Sequence, residues 1–565
     1  MQRIFKSNLF FLIILASLVF VVYGKSINYE FTKLDDDALT SKKSLYISNI
    51  KNFPKFFLTD CYHNKKNTQY YRPILALSFA VETIIFGVNT KIYHTVNIIL
   101  FIFALYLIYL FLCKFCSNNR ILKYIILLCS VHPIFVSTVV WIPARNDTLL
   151  AVFLFLFLIT YLDYITKNKF IYFFLSIVFF VFALFTKETT VIIFPVMILL
   201  TYCFDLKITK KQVLNYLIFF IPILILYFYL RQSAVYPISV SHYIKHAYEY
   251  LLNIIYGTML YIKYTFVVGD IPVMLYKLKF DILSVLINCV LFIVLIYIYI
   301  LKIINRKIIV FSFVFFVLFM LPSFAQECYL WLPHRLIIPL ISIIFIFNEM
   351  LDNLIIKYNI LKKYLVYLFV ILLISFSSLS WLMADQYMNH KIYWLNAYNY
   401  APMHPNVLEG LADVYIENKE YINAKNLVLE ILKTSNNIKY YIKLSSIEYL
   451  INKDLDIAES NYLQCLNGTD SYFYKAEILT NLGRIYYLKN DLDKAIEYTK
   501  KSLELQPYDK NTLVYLANYY AIDKQFSKAR PIYERLLKDN SKNEYYQYLI
   551  KTLEEDEREN KIDLE

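Results

Sequence analysis

Apolar runs of about 18–20 residues recur from residue 8 to residue 384, separated by short loops that carry most of the charge. As a helix, a run of that length crosses a hydrocarbon core of about 30 Å. The pattern predicts eleven crossings, at 8–23, 92–113, 124–141, 148–165, 170–185, 189–204, 213–230, 282–301, 308–325, 336–350 and 364–384. Two more apolar stretches, 73–88 and 251–268, read as helices lying at the outer interface or re-entering it. The first follows "YYRP" and carries Glu82; the second carries Lys263 and runs into Gly269, Asp270 and Pro272. After residue 385 the runs shorten, Lys and Glu rise, and helical spacing with polar faces takes over. The expectation is an all-α chain. A polytopic membrane domain spans 1–384, with a long first outer loop at 24–91. A connector at 385–404 leads to a helical solenoid at 405–540 and a charged helix or tail at 541–565.

The solenoid is read from its repeats. "AEILTNLGRIYYLKNDLDKAIEYTKKSLELQP" (476–507) resembles a tetratricopeptide unit, with Leu482, Gly483, Tyr486, Ala495 and Pro507 at the pattern's positions. Leu516, Ala517, Tyr520, Ala529 and Tyr533 form the next unit, Leu411, Ala412, Tyr415 and Ala424 an earlier one, and Ser446, Tyr449, Ala458 and Tyr462 another. Ala424 to Ala458 and Ala495 to Ala529 are each 34 residues, the period of this repeat. Ala458 to Ala495 is 37, which predicts a short insertion around "NGTDS". Each helix pair buries its apolar face only by stacking on the next, and four units build a surface for an extended partner. "NGT" at 467–469 also fits a glycosylation sequon.

Charge refines the topology. The formal net charge is +13, but the basic residues sit between apolar runs, where they orient helices rather than bind nucleic acid. With Arg3 and Lys6 in the cytoplasm, every inside loop is basic: Lys114, Arg120 and Lys123; Lys167 and Lys169; Lys207, Lys210 and Lys211; Lys302, Arg306 and Lys307; Lys357, Lys362 and Lys363. The lysines of loop 24–91 do not oppose this, because long loops cross largely regardless of charge. Eleven crossings then put the tail from 385, the acidic "DDD" at 35–37, "IPARND" (142–147), "TKE" (186–188) and "CYLWLPHR" (328–335) on one non-cytoplasmic face. Of the eight cysteines the nearest pair, Cys113 and Cys116 of "CKFC", reads as a membrane-edge pair. "VVYGKS" is a poor cleavage site, so the first run is expected to stay as a helix.

Chemistry is sought on that face. Asp35, Asp36 and Asp37 read either as a solvated loop, with Asp37 capping a helix near Ala38, or as a carboxylate for acid–base work or a divalent metal. Arg72, Arg145, Lys187, His334 and Arg335 each read singly as interfacial residues reaching for headgroups. Together they suit a departing phosphate, which Arg meets through paired hydrogen bonds and Lys as a point charge. His94 and His132, near apolar runs, read as packing or interface residues.

"INYEFTKLDDDALT", "YYRPILALSFAVETIIFGVNTKIYHTVNIIL", "VHPIFVSTVVWIPARNDTLLAVFLFLFL", "LFTKETTVIIFPVMILL" and "LPHRLIIPLI", followed by the repeats, resemble membrane proteins that join a GT-C type glycosyltransferase core to C-terminal tetratricopeptide repeats. The transmembrane and tetratricopeptide repeat-containing O-mannosyltransferases and their bacterial relatives are of this type. The resemblance covers nearly the whole chain, although Pro333 stands where bacterial members carry an acidic residue. It implies inverting transfer of a hexose, mannose by family, from a polyprenyl- or dolichyl-phosphate donor to a protein acceptor presented near the repeats. It implies that the base falls within Asp35–Asp37, with Asp36 foremost, and that Arg145, Lys187 and Arg335 hold the donor phosphate; His334 and Arg72, on the same face, are expected to join them on the residue reading above. The compartment is the periplasmic side of a bacterial inner membrane or the endoplasmic reticulum lumen. The rival readings are a non-catalytic membrane scaffold and an envelope polysaccharide ligase or polymerase.

Overall fold

A computed structural model describes residues 8–64, 68–116, 118–236, 245, 247–269, 271–276, 281–301, 303–324, 330–358, 360–539 and 547–555. Arg3, Lys6, Asp270, Lys302, Cys328 and most of the 541–565 tail lie outside these residues; 547–555 of that tail is helical. The chain divides into two compact units. The first comprises Met1–Thr32, Pro54–Ser78 and Thr90–Tyr400, and the second Lys33–Phe53, Phe79–Asn89 and Ala401–Glu565.

The first unit is helical apart from a two-residue antiparallel pairing of Leu275–Tyr276 with Leu330–Trp331. Six of its described helical segments are long and apolar enough to cross a membrane: Asn8–Asn28, Thr90–Leu112, Ile142–Lys167, Lys210–Ala234, Ile282–Ile300 and Lys363–Tyr387. Eleven crossings therefore do not follow from length and composition, and the physical reasons are local. Phe170–Thr186 has 17 residues and Ile193–Cys203 has 11, so at about 1.5 Å per residue neither reaches about 30 Å. Arg306–Met320 stops at 15 residues. Leu340–Lys357 carries Glu349, Asp352 and Lys357. The two stretches set aside in the sequence form helices Pro73–Phe86 and Ala247–Phe266, and neither is among the six.

The expected crossing at 124–141 is broken. Asn119–Ser130 and Pro133–Val140 meet at 57°. Pro133 supplies no N–H to continue the helix, and His132 accepts the Ile134 amide on Nδ1 at 3.2 Å. Its Nε2 lies 3.1 Å from the Thr265 carbonyl. His132 is thus a turn-forming packing residue, in keeping with its sequence reading.

Helix Arg145–Lys167 is the core of the unit, packed against Thr90–Leu112 and Phe170–Thr186. The Ile142–Lys167 segment is 78% buried, whereas Ile282–Ile300 is only 11% buried. Val290, Phe292 and Ile293 point outward. A long, mostly apolar helix so open to its surroundings could cross a membrane.

The second unit carries four helix pairs: Pro405–Glu417 with Tyr421–Leu432, Ile438–Asn452 with Leu455–Asn467, Tyr472–Leu488 with Leu492–Leu505, and Lys510–Ile522 with Phe526–Asp539. Side chains of Asn437, Asp454, Asp491 and Asp509 accept the first free amides of the helices they precede. Ala424, Ala458, Ala495 and Ala529 are all buried where paired helices cross. At Gly483 an added Cβ would lie 2.5 Å from Thr499 Oγ1 and 3.1 Å from the Ala495 carbonyl, so hydrogen is the only substituent that fits. Each pair turns on a residue of positive φ: Lys419, Lys453, Asn490 and Lys524. Each stands five positions before the crossing alanine.

The three extra residues of the third repeat do not form an insertion around "NGTDS". The linker 468–471 is no longer than the linker 506–509, and helix Tyr472–Leu488 has 17 residues against 13 in Lys510–Ile522. The addition is about one turn of helix, which satisfies its own backbone hydrogen bonds where a loop of that length would need other partners.

Candidate functional site

Polar side chains converge in the first unit where four segments meet. Pro143 opens the short turn Ile142–Ala144, after which the chain enters helix Arg145–Lys167. This puts Arg145 and Asp147 in the first turn of the unit's most buried helix. Arg145 is fully buried (0% exposed). Its Nε donates to Asn97 Oδ1 at 2.7 Å and its Nη2 to the Tyr93 carbonyl at 2.9 Å. Asn97 in turn donates to the carbonyls of Trp141 and Ile142 at 3.3 and 3.2 Å. Arg145 therefore fixes the helix start against Thr90–Leu112.

Asp147 is the hub. Lys187 Nζ donates to its Oδ1 at 2.6 Å, and His334 Nε2 lies 3.6 Å from its Oδ2. Lys187 sits at the break between Phe170–Thr186 and the turn Glu188–Ile192. Burial pulls its ammonium below the usual lysine range, against the pull of Asp147. Arg72 lies 3.9 Å from Glu188 and rests 4.6 Å over the Tyr70 ring. His334 belongs to the turn Pro333–Leu336, which is held by the Tyr261 hydroxyl donating to the Leu332 carbonyl at 2.7 Å. Its ring packs on Trp141 at 5.3 Å. Burial pushes the His334 imidazole down to about 3, with Asp147 opposing and Arg335, Lys187 and Arg72 assisting. The ring is neutral at physiological pH, so its approach to Asp147 is not an ion pair.

The cluster therefore unites Arg72, Lys187, His334 and, one residue on, Arg335 around Asp147 and Glu188. Arg335 acts electrostatically on both Lys187 and His334. Four buried polar atoms here, Asp147 Oδ2, His334 Nδ1, Arg72 Nε and Glu188 Oε2, have no hydrogen-bond partner among the described residues. Buried polar groups are ordinarily paired with protein or water, so a group of them around one point marks a polar interior that water or a ligand would fill. Asp147 and Glu188 were not singled out in the sequence, although "IPARND" and "TKE" contain them; the signal was a carboxylate one or two residues from each selected cation.

Asp35, Asp36 and Asp37 belong to the second unit. The short helix Asp36–Leu39 begins two residues before the expected start at Ala38, and Asp37 is not its cap. Asp36 Oδ1 accepts the Asp37 amide at 3.0 Å, and Asp37 pairs with Lys42 at 2.8 Å. Asp36 and Asp37 are 1% and 7% exposed, so the stretch is not a solvated loop. Asp35 has φ +69°. Among the described residues no three of His, Cys, Asp and Glu gather as metal ligands.

In the repeats, adjacent first helices are joined by charge. Lys439 meets Glu409 at 2.8 Å, and Lys443 meets Asp413 at 2.7 Å and Glu409 at 3.5 Å. Burial would raise the Glu409 carboxyl, but Lys443 and Lys439 outweigh it and hold the group below its usual range.

Residues 476–509 match the family model of the tetratricopeptide repeat. The matched stretch covers the helices Tyr472–Leu488 and Leu492–Leu505 almost entirely. Among solved structures, the chain is similar to Pseudomonas aeruginosa PilF at 19% identity, over 28% of this chain and 70% of that one, with a TM-score of 0.24. It is similar to MamA at 16% identity, over 28% and 84%, with a TM-score of 0.21. A third is YrrB, described as a tetratricopeptide protein with an unusual peptide-binding site, at 14% identity over 29% and 82%, with a TM-score of 0.21. No curated protein sequence matches the chain.

Proposed function

We propose that the chain is a membrane glycosyltransferase that moves a hexose, mannose by family resemblance, from a polyprenyl- or dolichyl-phosphate to a hydroxyl of a protein or peptide on the non-cytoplasmic side. The observation that carries this reading is the buried cluster, where Lys187 pairs with Asp147, Arg72 lies beside Glu188, and the charge of Arg335 is felt nearby. Cations gathered away from water are suited to meet an anion. A lipid phosphate is such an anion, and it becomes the leaving group of the reaction.

The chemistry then balances. A carboxylate takes the proton of the acceptor hydroxyl. The freed oxygen attacks the sugar's anomeric carbon from the face opposite the phosphate. The bond from that carbon to the phosphate oxygen breaks, its electron pair leaves with the phosphate, and configuration inverts. The cations stabilise the charge that develops on the leaving group. The resemblance gives the base to Asp36, with Asp35 and Asp37 as its alternatives.

The test uses the purified full chain with polyprenyl-phosphate-mannose. Asp36→Asn is expected to lower turnover roughly 100- to 10,000-fold, the usual worth of a general base, while polyprenyl phosphate still binds. Lys187→Met is expected to weaken that binding. The scaffold reading is favoured by the repeat match itself, since stacked helix pairs are a common protein-binding surface. It predicts no turnover by the wild-type chain and no effect of Asp36→Asn. An envelope polysaccharide ligase would transfer to a glycan acceptor and not to a peptide.

A further inference from the structure

The repeat array is in contact with a segment that precedes it by some 350 residues of sequence, Lys33–Phe53, which folds within the same unit. The contacts run along the array. Lys33 Nζ meets Glu417 Oε1 at 2.5 Å, at the end of the first helix of the first pair. Lys42 pairs with Asp37 of its own segment at 2.8 Å and also feels the negative charges of Asp413 on that helix and Glu477 of the third pair. Leu45 is buried in one apolar cluster with Leu513, Leu516, Ala517 and Tyr533 of the fourth pair. Tyr46 meets the Tyr508 ring edge-on at 5.1 Å. Lys33 thus meets an acid of the array, Lys42 lies in the field of two more, and an aliphatic–aromatic pair fills an apolar site at its far end.

This arrangement has the form of a bound peptide. The segment's regular structure here is two helices of four residues, Asp36–Leu39 and Ser44–Ile47, and the start of a 3-10 helix at Ile50–Leu58. Neither four-residue helix is stable alone, so the array supplies the order. Lys42 is 67% exposed and the Lys33–Glu417 pair 44% and 51%, so these charges select more than they hold. The principal anchor is Leu45, aided by Tyr46. A ligand held by one short anchor and solvated ion pairs is one that another can replace.

We propose that residues 33–53 are the resident ligand of the repeat array, and that the face they cover accepts an external peptide of the same pattern: a lysine followed three residues later by an aliphatic–aromatic pair. The array's partner would then compete with the chain's own segment, and would move Asp35–Asp37 when it wins. The inference rests on the second unit alone and does not depend on what the first unit catalyses.

The test uses the full chain in detergent, with a fluorescent peptide of sequence 33–53 as probe. Tyr46→Cys with Tyr508→Cys is expected to be bridged by a short bifunctional methanethiosulfonate, mapped by mass spectrometry, because it spans the space the two edge-on rings fill. The bridged chain should not bind the probe, and reduction should restore binding. Leu45→Asp in the chain should tighten probe binding, roughly tenfold if the segment is normally in place nine-tenths of the time. A probe that itself carries Leu45→Asp should not bind. Failure of the bridge to form, equal binding by bridged and reduced chains, or no binding by either would overturn the proposal.

Discussion

Lys187 Nζ lies 2.6 Å from Asp147 Oδ1, joining the start of the core helix to the break after Phe170–Thr186, with side chains 12% and 6% exposed. A pair this well buried is vulnerable to losing one member. Asp147→Ala should destabilise the first unit by about 3–5 kcal/mol, because it leaves the ammonium buried without its partner. Asp147→Leu with Lys187→Met should recover most of that loss, since two apolar side chains replace a desolvated pair. Thermal melting in detergent measures both. On the reading proposed for this site, the double variant should melt like wild type and fail to bind polyprenyl phosphate.

His334 sets a pH dependence with a definite sign. Burial holds its folded-state value at about 3 against an ordinary 6.5. Between those values the unfolded chain binds a proton that the folded chain does not, so stability falls as pH drops from 6.5 toward 3 and is constant above. Melting temperature against pH should show this slope. His334→Gln, which cannot charge, should flatten it without removing the neutral contact with Trp141.

In the array the acid limb comes from carboxylates. Glu409 is held low once Lys443 and Lys439 overcome its burial. Its contribution is present above the ordinary carboxylate range and is lost as pH falls through its lowered folded value. Glu409→Gln should make the array less stable at neutral pH and reduce its loss in acid. Helix signal against pH, compared with the parent chain, reads this directly.

Gly483→Ala should force apart Tyr472–Leu488 and Leu492–Leu505, because the new methyl meets Thr499 Oγ1 at 2.5 Å. Overpacking of this kind costs about 1–3 kcal/mol. Combining it with Thr499→Ala removes the obstructing hydroxyl and should return part of the loss. Equal melting temperatures for the single and double variants would show that the backbone, at 3.1 Å from the Ala495 carbonyl, is the true obstacle.

Sidedness can be read at Asp470, whose side chain is fully exposed in the linker before Tyr472–Leu488. Asp470→Cys in intact cells or sealed vesicles should react with a membrane-impermeant maleimide from the non-cytoplasmic side. Labelling only after the membrane is breached would put the repeats in the cytoplasm and exclude a lumenal acceptor.

Much of the helical architecture was legible because period and length report directly on burial. Asn8–Tyr23 coincides with the run read at 8–23, and the crossing alanines mark the helix pairs. Less legible was how many apolar runs are long enough to cross: six described helical segments are, against the eleven expected. Composition does not show that Phe170–Thr186 ends after 17 residues, or that Pro133 and His132 turn the chain by 57°. At the candidate site the sequence pointed to the cations, since Arg and Lys stand out in apolar surroundings. It did not show that Arg145 is tied to Asn97 and Tyr93, or that Asp147 organises Lys187 and His334. Those relations join residues tens to hundreds of positions apart, and only the packed helices bring them together.

The corners of the array carry a consequence of their own. Lys419, Lys453, Asn490 and Lys524 take a left-handed backbone that glycine adopts freely and side chains resist, by roughly 1 kcal/mol apiece. The whole sequence has 7 glycines, and none stands at these four corners. The solenoid is therefore wound against a small standing tension at each bend, like a spring held by its stacked neighbours. Four single-residue exchanges to glycine, none touching a helix face, would slacken it at every turn and leave its surface for partners unaltered.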